Sequence, residues 1–296
     1  MRSSSQFVEL VPRRCWWCGA VADSREHRLK KSDLVREFGK PPYTDLRTLT
    51  RFSGGDRHDF GGPNSPLVQF QPSICMRCNN VRSQPFDAAW DRLVSYLVDR
   101  EAEILALRSL DLQAAFGTDW ASQAADVERY IVKHLVCRIV DQLPGPIRLD
   151  RELLAFLDGG TYPAVLELDV CIDLGVVEML RVTRAAPPPE QPEAADAGFL
   201  GTTGLWVQQS KSTGEWFEPQ AGLYYRWLGI FWRICDGSAE SVFAQPDVRL
   251  DTCDDFFGPE FRAALTHGTS AQAPDRRVRA AATATYDSRG ITGASR

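Results

Sequence analysis

Two stretches in the first half of the chain carry apolar residues at helical spacing. One stretch has a single apolar face, formed by Phe86, Ala89, Trp90, Leu93, Leu97 and Val98. That pattern predicts an amphipathic helix whose apolar face packs on a core. The other stretch, 127–143, is apolar nearly all round and precedes Pro144-Gly145-Pro146. It predicts a buried core helix that the prolines end.

Shorter helices are expected on either side of these two. Residues 32–38 have helical spacing, with Ser32 as the predicted cap and Gly39 as the predicted stop. Helical character also continues through 101–110, and 151–157 forms a compact apolar segment before two glycines.

The period changes to that of β-strands in the second half. Alternating or β-branched and aromatic segments predict strands at 164–170, 176–183, 204–209 and 223–234, and a shorter one at 67–70. Residues 40–66 are rich in glycine and proline, which predicts a loop with one hairpin. The overall fold class is therefore predicted to be α+β.

Changes in composition divide the chain into three parts. Residues 1–100 form a predicted N-terminal domain, and 101–269 form an accessory domain with helices to about 158 and strands after it. Its proline-rich segment 185–198 is predicted to be a mobile loop. Residues 270–296 have almost no large apolar side chains, which predicts a disordered tail.

Composition and charge narrow the class of protein. The chain is 44% hydrophobic and 25% charged, has no long uncharged apolar run and begins without the apolar core of a signal peptide. These features predict a soluble, cytoplasmic protein with no membrane partner. Residues 1–100 carry 16 Lys and Arg against 11 Asp and Glu, a net charge of +5, whereas residues 101–296 have a net charge of −10. This asymmetry favours contact of the first part alone with a polyanion, although a small domain of charge +5 is also ordinary.

Two Cys-x-x-Cys couples are the strongest chemical signal. Cys15 and Cys18 form the first couple, and Cys75 and Cys78 form the second. Four thiolates at this spacing predict a structural zinc site that leaves no open coordination position. Two unrelated redox or free-thiol pairs are the alternative. Single, reduced thiols are predicted for the other four cysteines, Cys137, Cys171, Cys235 and Cys253.

Polar residues beside this predicted zinc site suggest a second centre. Glu26-His27 lies between the couples, and Asn79-Asn80 follows the last cysteine directly. Histidine can accept a proton from water near neutral pH. A carboxylate and an amide oxygen suit a hard cation such as Mg²⁺ or Mn²⁺. Taken alone, Glu26-His27 would also fit an ordinary surface pair.

The order Cys-x-x-Cys, Glu-His, Cys-x-x-Cys-Asn-Asn resembles the HNH endonucleases over roughly residues 13–95, including Ser83 and Phe86-Asp87. The resemblance implies a ββα-metal core on a treble-clef zinc finger. It also implies that His27 is the general base and that Glu26 and Asn79 hold one divalent cation, with Asn80 as the alternative ligand to Asn79. The family's middle asparagine, which braces the loop of the base, has no clear counterpart before Cys75. Gln71 and Asn64 are the candidates for that role.

Basic residues surround these motifs at Arg25, Arg28, Lys30, Lys31, Arg77 and Arg82. They could contact phosphates without reading bases, or could be ordinary surface charge. The leading hypothesis is therefore an endonuclease acting on nucleic acid, with DNA expected as the substrate, and with an accessory domain that selects substrate or binds a partner protein. The alternatives are a non-catalytic, zinc-stabilised binding module and a toxin-like or phage-defence effector that shares the nuclease chemistry.

Overall fold

The computed structural model of the chain describes residues 6–43, 49–53, 56–143, 147–185, 198–203, 205–209, 216–235, 237–253 and 282–284. The fold is a mixture of α and β structure, as predicted. The helices are α1 (Lys31–Phe38), α2 (Gln84–Asp99), α3 (Glu101–Leu107), α4 (Leu112–Phe116), α5 (Trp120–Gln142), α6 (Arg151–Leu157) and α7 (Leu174–Ala185). The strands are β1 (Phe7–Glu9), β2 (Leu49–Ser53), β3 (Asp56–Phe60), β4 (Ser109–Asp111), β5 (Arg148–Asp150), β6 (Leu166–Asp173), β7 (Leu200–Thr202), β8 (Trp206–Gln209), β9 (Trp216–Tyr225), β10 (Leu228–Ile234), β11 (Asp247–Arg249), β12 (Asp251–Cys253) and β13 (Ala282–Ala284).

Helix α5 lies at the centre of the helical part. The two long predicted helices are confirmed as α2 and α5, and they pack against each other. Trp90 of α2 stacks on Tyr130 of α5 with ring centroids 4.7 Å apart. Most of α5 from Val127 to Ile139 is buried, including the charged residues Glu128, Lys133 and Arg138. Buried charges need partners, and the partners of Lys133 form part of the candidate site.

The second half is organised around a six-stranded sheet with the order β12-β6-β10-β9-β7, in which β8 also pairs with β9. The predicted strand at 223–234 is a β9–β10 hairpin, because the chain turns at Arg226 and Trp227. Arg226 adopts a left-handed conformation with φ of 50°. The hairpin places Tyr225 and Arg226 against α1, far away in sequence.

The prediction that Cys171 and Cys253 are separate reduced thiols is wrong, because they form a disulfide. Strand β12 pairs with β6 in parallel, and this pairing brings two cysteines 82 residues apart to a Cα–Cα distance of 6.0 Å. That distance lies in the ordinary range for a disulfide. Within the described residues, Cys137 and Cys235 take part in no disulfide.

Two strand predictions are also wrong. Residues 176–183 lie in α7, where the Asp173 side chain accepts a hydrogen bond from the Val176 N–H (3.0 Å) at the start of the helix. Asp173 therefore satisfies an N–H at the helix start, which outweighs the β-branched residues. Residues 67–70 begin in a short 3₁₀ turn, Pro66–Val68, in which the Ser65 hydroxyl accepts from the Leu67 N–H.

The remaining predictions have mixed outcomes. Helix α1 is confirmed and ends at Gly39, but Ser32 lies inside its first turn and donates to Asp91 Oδ1 (2.9 Å) instead of capping it. Residues 40–66 contain one hairpin, formed by β2 and β3. Most of the predicted mobile loop 185–198 and of the predicted tail 270–296 lies outside the described residues. In the tail, β13 pairs in parallel with β2.

One buried core extends through both predicted domains, from Cys15 to Leu250. Within the described parts of the chain, no helix has the length and apolar character needed to cross a membrane.

Candidate functional site

The two cysteine couples meet at one point. Backbone hydrogen bonds from Trp16 N to Ser73 O (3.1 Å) and from Ser24 N to Ile74 O (3.0 Å) hold the first couple against the second. The four Sγ atoms all lie within 4.8 Å of one another. Tetrahedral zinc with Zn–S bonds of about 2.3 Å places sulfurs roughly 3.8 Å apart. The four thiols can therefore bind a structural metal such as zinc.

The thiols differ in how readily they lose a proton. Burial raises the pKa of Cys15 and Cys78. Burial also raises the pKa of Cys18, but hydrogen bonds from the Ala20 N–H and the neighbouring thiols together outweigh this effect and lower the pKa to about 7. Arg82 donates to Cys78 Sγ (3.6 Å), which supplies a positive charge beside the most deeply buried thiol. This donor set suits a metal that binds thiolates.

Two extended segments run antiparallel beside the cysteine cluster. Residues 24–28 pair with 68–74 through hydrogen bonds from Arg28 N to Val68 O (2.8 Å) and from Phe70 N to Glu26 O (2.9 Å). The chain then passes the second couple, makes a wide helical turn at Cys78–Arg82 and enters α2. Glu26, His27 and Asn79 therefore lie on neighbouring parts of one small unit made of two extended segments and a helix.

His27 is half-buried, and one ring nitrogen is fixed by the backbone. Its Nε2 lies 3.0 Å from the carbonyl oxygen of Pro63 and 3.4 Å from the side-chain amide of Gln69. A carbonyl oxygen can only accept, so Nε2 carries the proton and donates it to Pro63. The other nitrogen, Nδ1, then has a free lone pair. Burial lowers the pKa of His27, which keeps the ring neutral, although Glu26 opposes this.

Glu26 is paired with a lysine that sequence reasoning did not identify. Its Oε2 lies 3.1 Å from Nζ of Lys133, which comes from α5. Glu26 is 6% exposed and Lys133 is 1% exposed. The same Nζ lies 3.1 Å from Asp87 Oδ1 and 3.3 Å from the Ser83 hydroxyl. The ammonium is thus enclosed by two carboxylates and a hydroxyl.

Asn79 has one satisfied and one unsatisfied end. Its Nδ2 donates to the Ser24 hydroxyl (3.0 Å) and to the Arg25 carbonyl (3.2 Å). Since a carbonyl requires a donor, this contact fixes which end of the amide is nitrogen. Its Oδ1 is buried and has no hydrogen-bond partner among the described residues. Leaving a buried acceptor unpaired costs about 1–3 kcal/mol, so this oxygen is a candidate ligand.

An open cleft of about 720 Å³ brings most of the predicted site together. The predicted residues that line it are Arg25, Glu26, His27, Lys30, Lys31, Asn79 and Asn80. Arg36, Asp87 and Asp91 also line it. Acidic, basic and amide groups therefore converge on one surface of the N-terminal unit.

The predicted phosphate-binding cations fall into two groups. Arg25, Lys31 and Arg77 are exposed, and Arg25 and Lys31 line the cleft. Arg28 is buried, donates to Asp141 Oδ2 (2.5 Å) and lies over the Phe70 ring, so it does not face the cleft. Arg82 pairs with Asp158 and lies over the Trp17 ring, beside the cysteine cluster.

Lys30 is also committed to protein contacts. It donates to the Asp87 carbonyl oxygen (2.5 Å) and pairs with Asp91 Oδ2 (3.0 Å). The basic surface left for a polyanion at the cleft therefore centres on Arg25 and Lys31.

Neither predicted brace contacts the His27 ring. Gln71 is exposed, and its backbone N–H donates to Asp141 Oδ1 (2.8 Å). Asn64 is exposed on a separate surface hollow. The contacts to the ring come instead from Pro63 and Gln69. Gln69 is two residues from Gln71 on the same extended segment, and the assignment of the brace to Gln71 or Asn64 stays a prediction.

Comparison of the chain with models of protein families, with curated proteins and with solved structures finds no match.

Proposed function

We propose that the chain is a metal-dependent endonuclease of the HNH type that hydrolyses phosphodiester bonds of nucleic acid, with DNA as the expected substrate. The observation that carries this proposal is the convergence of His27, Glu26 and Asn79 on the lining of one cleft. The adjacent four-thiol cluster supplies a rigid frame that needs no exchangeable ligand.

His27 acts as the general base in this proposal. Its Nε2–H is held by Pro63, so Nδ1 takes a proton from a water molecule. The water oxygen forms a bond to phosphorus, the bond from phosphorus to the 3′ oxygen breaks, and the leaving oxygen takes a proton from solvent. The products are a 5′ phosphate and a 3′ hydroxyl.

Glu26 and Asn79 would hold one divalent cation, Mg²⁺ or Mn²⁺, through a carboxylate and an amide oxygen. When bound, such a cation supplies positive charge that stabilises the phosphate and the leaving oxygen in the transition state. The donor types fit a hard cation, and the unpaired Asn79 Oδ1 supports the fit. Arg25 and Lys31 would contact phosphates on either side of the scissile bond.

A non-catalytic, zinc-stabilised nucleic-acid-binding module is the alternative. One observation favours it, because Glu26 already has a buried ionic partner in Lys133. In that case the cleft would bind a polyanion through Arg25 and Lys31 without cleaving it.

Plasmid nicking separates these two functions. Zinc-loaded protein is incubated with supercoiled plasmid and Mg²⁺ or Mn²⁺, and the wild type is compared with His27→Ala and Asn79→Ala. Loss of a general base typically lowers the rate by about 10²–10⁴-fold, and we expect His27→Ala to fall in that range. Binding of the plasmid should remain close to that of the wild type. Equal nicking by the wild type and by His27→Ala would contradict the endonuclease proposal. Plasmid binding by the wild type without nicking in either Mg²⁺ or Mn²⁺ would also contradict it.

A further inference from the structure

Lys133 is a buried charge that the proposed reaction does not use. It lies on α5, outside the motif that resembles the nucleases, and only 1% of its surface is exposed. Burying a lone ammonium is costly, so its neighbours must offset that cost. Burial alone would lower its pKa, but the charges of Glu26 and Asp87 outweigh that effect and raise it.

The neighbours of the ammonium are the ligand types that a divalent cation would use. Glu26 Oε2 and Asp87 Oδ1 each lie 3.1 Å from Nζ, and Asp87 Oδ2 and the Ser83 hydroxyl each lie 3.3 Å away. Two carboxylates and a hydroxyl around one point form an all-oxygen environment of the kind that Mg²⁺ and Mn²⁺ prefer. The Ser83 hydroxyl donates to the Asn79 carbonyl oxygen (2.6 Å) and lies 3.1 Å from Asp87 Oδ2, so it connects this carboxylate to the backbone of Asn79.

Geometry also keeps Lys133 from the substrate. The cleft is lined by Glu26 and Asp87, whereas Lys133 lies behind them and packs against the Tyr130 ring at 5.5 Å. The lysine therefore acts on the carboxylates and not on a bound phosphate. The ammonium neutralises negative charge at Glu26. The same carboxylate is a proposed ligand of the divalent cation.

We propose that the Lys133 ammonium is a fixed internal cation that occupies the position between Glu26 and Asp87, and so limits the cleft to one exchangeable divalent cation. This inference rests on the proposed function for the identity of that one cation. It makes Lys133 a positioning residue and makes α5 part of the site. Some phosphodiester-cleaving enzymes hold two metal ions about 3.5–4 Å apart. Here, one of the two positive charges would be part of the polypeptide.

The test replaces the lysine by a residue that leaves room for a hydrated ion. The zinc-loaded full chain is compared with Lys133→Ala, with the double variant Lys133→Ala/Asp87→Asn and with Lys40→Ala, which removes an exposed lysine outside the cleft. Mn²⁺ bound per chain is measured by electron paramagnetic resonance, and Tm is measured with and without Mn²⁺.

We expect Lys133→Ala to bind one more Mn²⁺ than the wild type. Its Tm should be lowered without Mn²⁺, because two buried carboxylates lose their partner, and should rise with Mn²⁺ by more than that of the wild type. The double variant should lose the additional ion, and Lys40→Ala should match the wild type in bound Mn²⁺ and in Tm. A poorly folded Lys133→Ala protein remains informative, because Mn²⁺ should restore its folding.

The inference is overturned if Lys133→Ala binds no more Mn²⁺ than the wild type and gains no more Tm from it. The proposed function fails separately, if the wild type binds plasmid but never nicks it. An additional ion in Lys133→Ala together with a wild type that does not nick would keep the fixed-cation inference and reject the endonuclease.

Discussion

The guanidinium of Arg82 pairs with the carboxylate of Asp158, 76 residues further along the chain. Arg82 also donates to Cys78 Sγ, and Asp158 accepts from the Trp17 indole N–H (3.0 Å). The end of α6 is therefore connected to both cysteine couples.

Asp158→Ala tests this connection. Removing the carboxylate takes away the hydrogen-bond acceptor of Trp17 Nε1 and the ion-pair partner of Arg82, and we expect a loss of about 1–2 kcal/mol in the free energy of unfolding. Release of zinc to a chelator should be faster than in the wild type. Urea denaturation and a colorimetric zinc assay measure the two effects. Glu240→Ala, which removes an exposed acid elsewhere, is the control, and equal zinc release from both variants would rule out the connection.

Cys75→Ser tests the four-thiol cluster. Structural zinc contributes an apparent binding energy of roughly 10–16 kcal/mol in zinc-finger peptides at pH 7, which is comparable to the whole stability of a domain. We expect the variant to lose bound zinc and the N-terminal unit to unfold. Metal content by mass spectrometry and circular dichroism report the outcome. Cys137→Ser, at a buried cysteine outside the cluster, should keep the zinc.

Gln69→Ala tests which residue braces the proposed base. The Gln69 amide lies 3.4 Å from His27 Nε2, whereas Gln71 and Asn64 do not contact the ring. Because Nε2 donates to Pro63, the Gln69 amide nitrogen packs against the ring without a hydrogen bond to Nε2. Losing this contact is worth about 1 kcal/mol, so we expect kcat for nicking to fall about 5-fold. Gln71→Ala and Asn64→Ala should stay within about 2-fold of the wild type, by the same reasoning. A larger effect from either of these would assign the brace to that residue.

Glu128→Gln tests a predicted dependence of stability on pH. Glu128 is buried in α5 and accepts from the Ser241 hydroxyl (2.6 Å), and burial raises its pKa from 4.5 to about 7. The folded protein then keeps a proton that the unfolded chain loses above pH 4.5. This stabilising contribution is complete below that pH and is lost as the pH rises through about 7.

Glutamine cannot titrate and can still accept from Ser241. We expect Glu128→Gln and the wild type to have the same free energy of unfolding near pH 4.5. At about pH 8 the free energy of unfolding of the variant should be higher by about 3 kcal/mol. Urea denaturation at the two pH values measures the difference. Glu240→Gln should show no such change, and a pH-independent effect of Glu128→Gln would contradict the prediction.

Arg226→Met compares a buried ion pair with an exposed one. Arg226 Nε lies 3.1 Å from Glu37 Oε2, and the Glu37 side chain is 0% exposed. Leaving that carboxylate without its ionic partner should cost about 3–5 kcal/mol. Arg233→Met removes an exposed pair with Glu167 (2.5 Å) and should cost less than about 1 kcal/mol. Urea denaturation of the two variants gives the comparison, and equal losses would contradict the expected effect of burial.

Periodicity made some elements predictable from sequence. Helix α6 has the predicted bounds, and α5 ends one residue before the predicted end at 143 but begins at Trp120, seven residues before the predicted start. Residues 176–183 were mispredicted because the β-branched residues Val176, Val177 and Val182 favour strands, whereas a single cap at Asp173 favours a helix. Local propensity does not decide between two such signals.

Long-range partners explain the rest of the differences. The spacing of the cysteine couples predicted the cluster, because both couples carry their own signature. No local sequence pattern predicts the ion pair of Lys133 with Glu26 or the disulfide of Cys171 with Cys253. These pairs form only after the helices and strands have packed. The signal that could have indicated Lys133 was a charged residue within a helix that is apolar nearly all round.

Helix α5 holds the residues around the proposed base at three points. Besides the Lys133 contact, His134 Nε2 lies 2.9 Å from the Arg28 carbonyl oxygen, and Asp141 accepts from the Arg28 side chain. The partners in these last two contacts are 106 and 113 residues apart in sequence. The order of synthesis therefore matters, because all four cysteines leave the ribosome before α5 does. During synthesis, the four cysteines would therefore be present before the residues of α5 that lie behind the cleft. The site would be complete only after α5 has been synthesised and has packed.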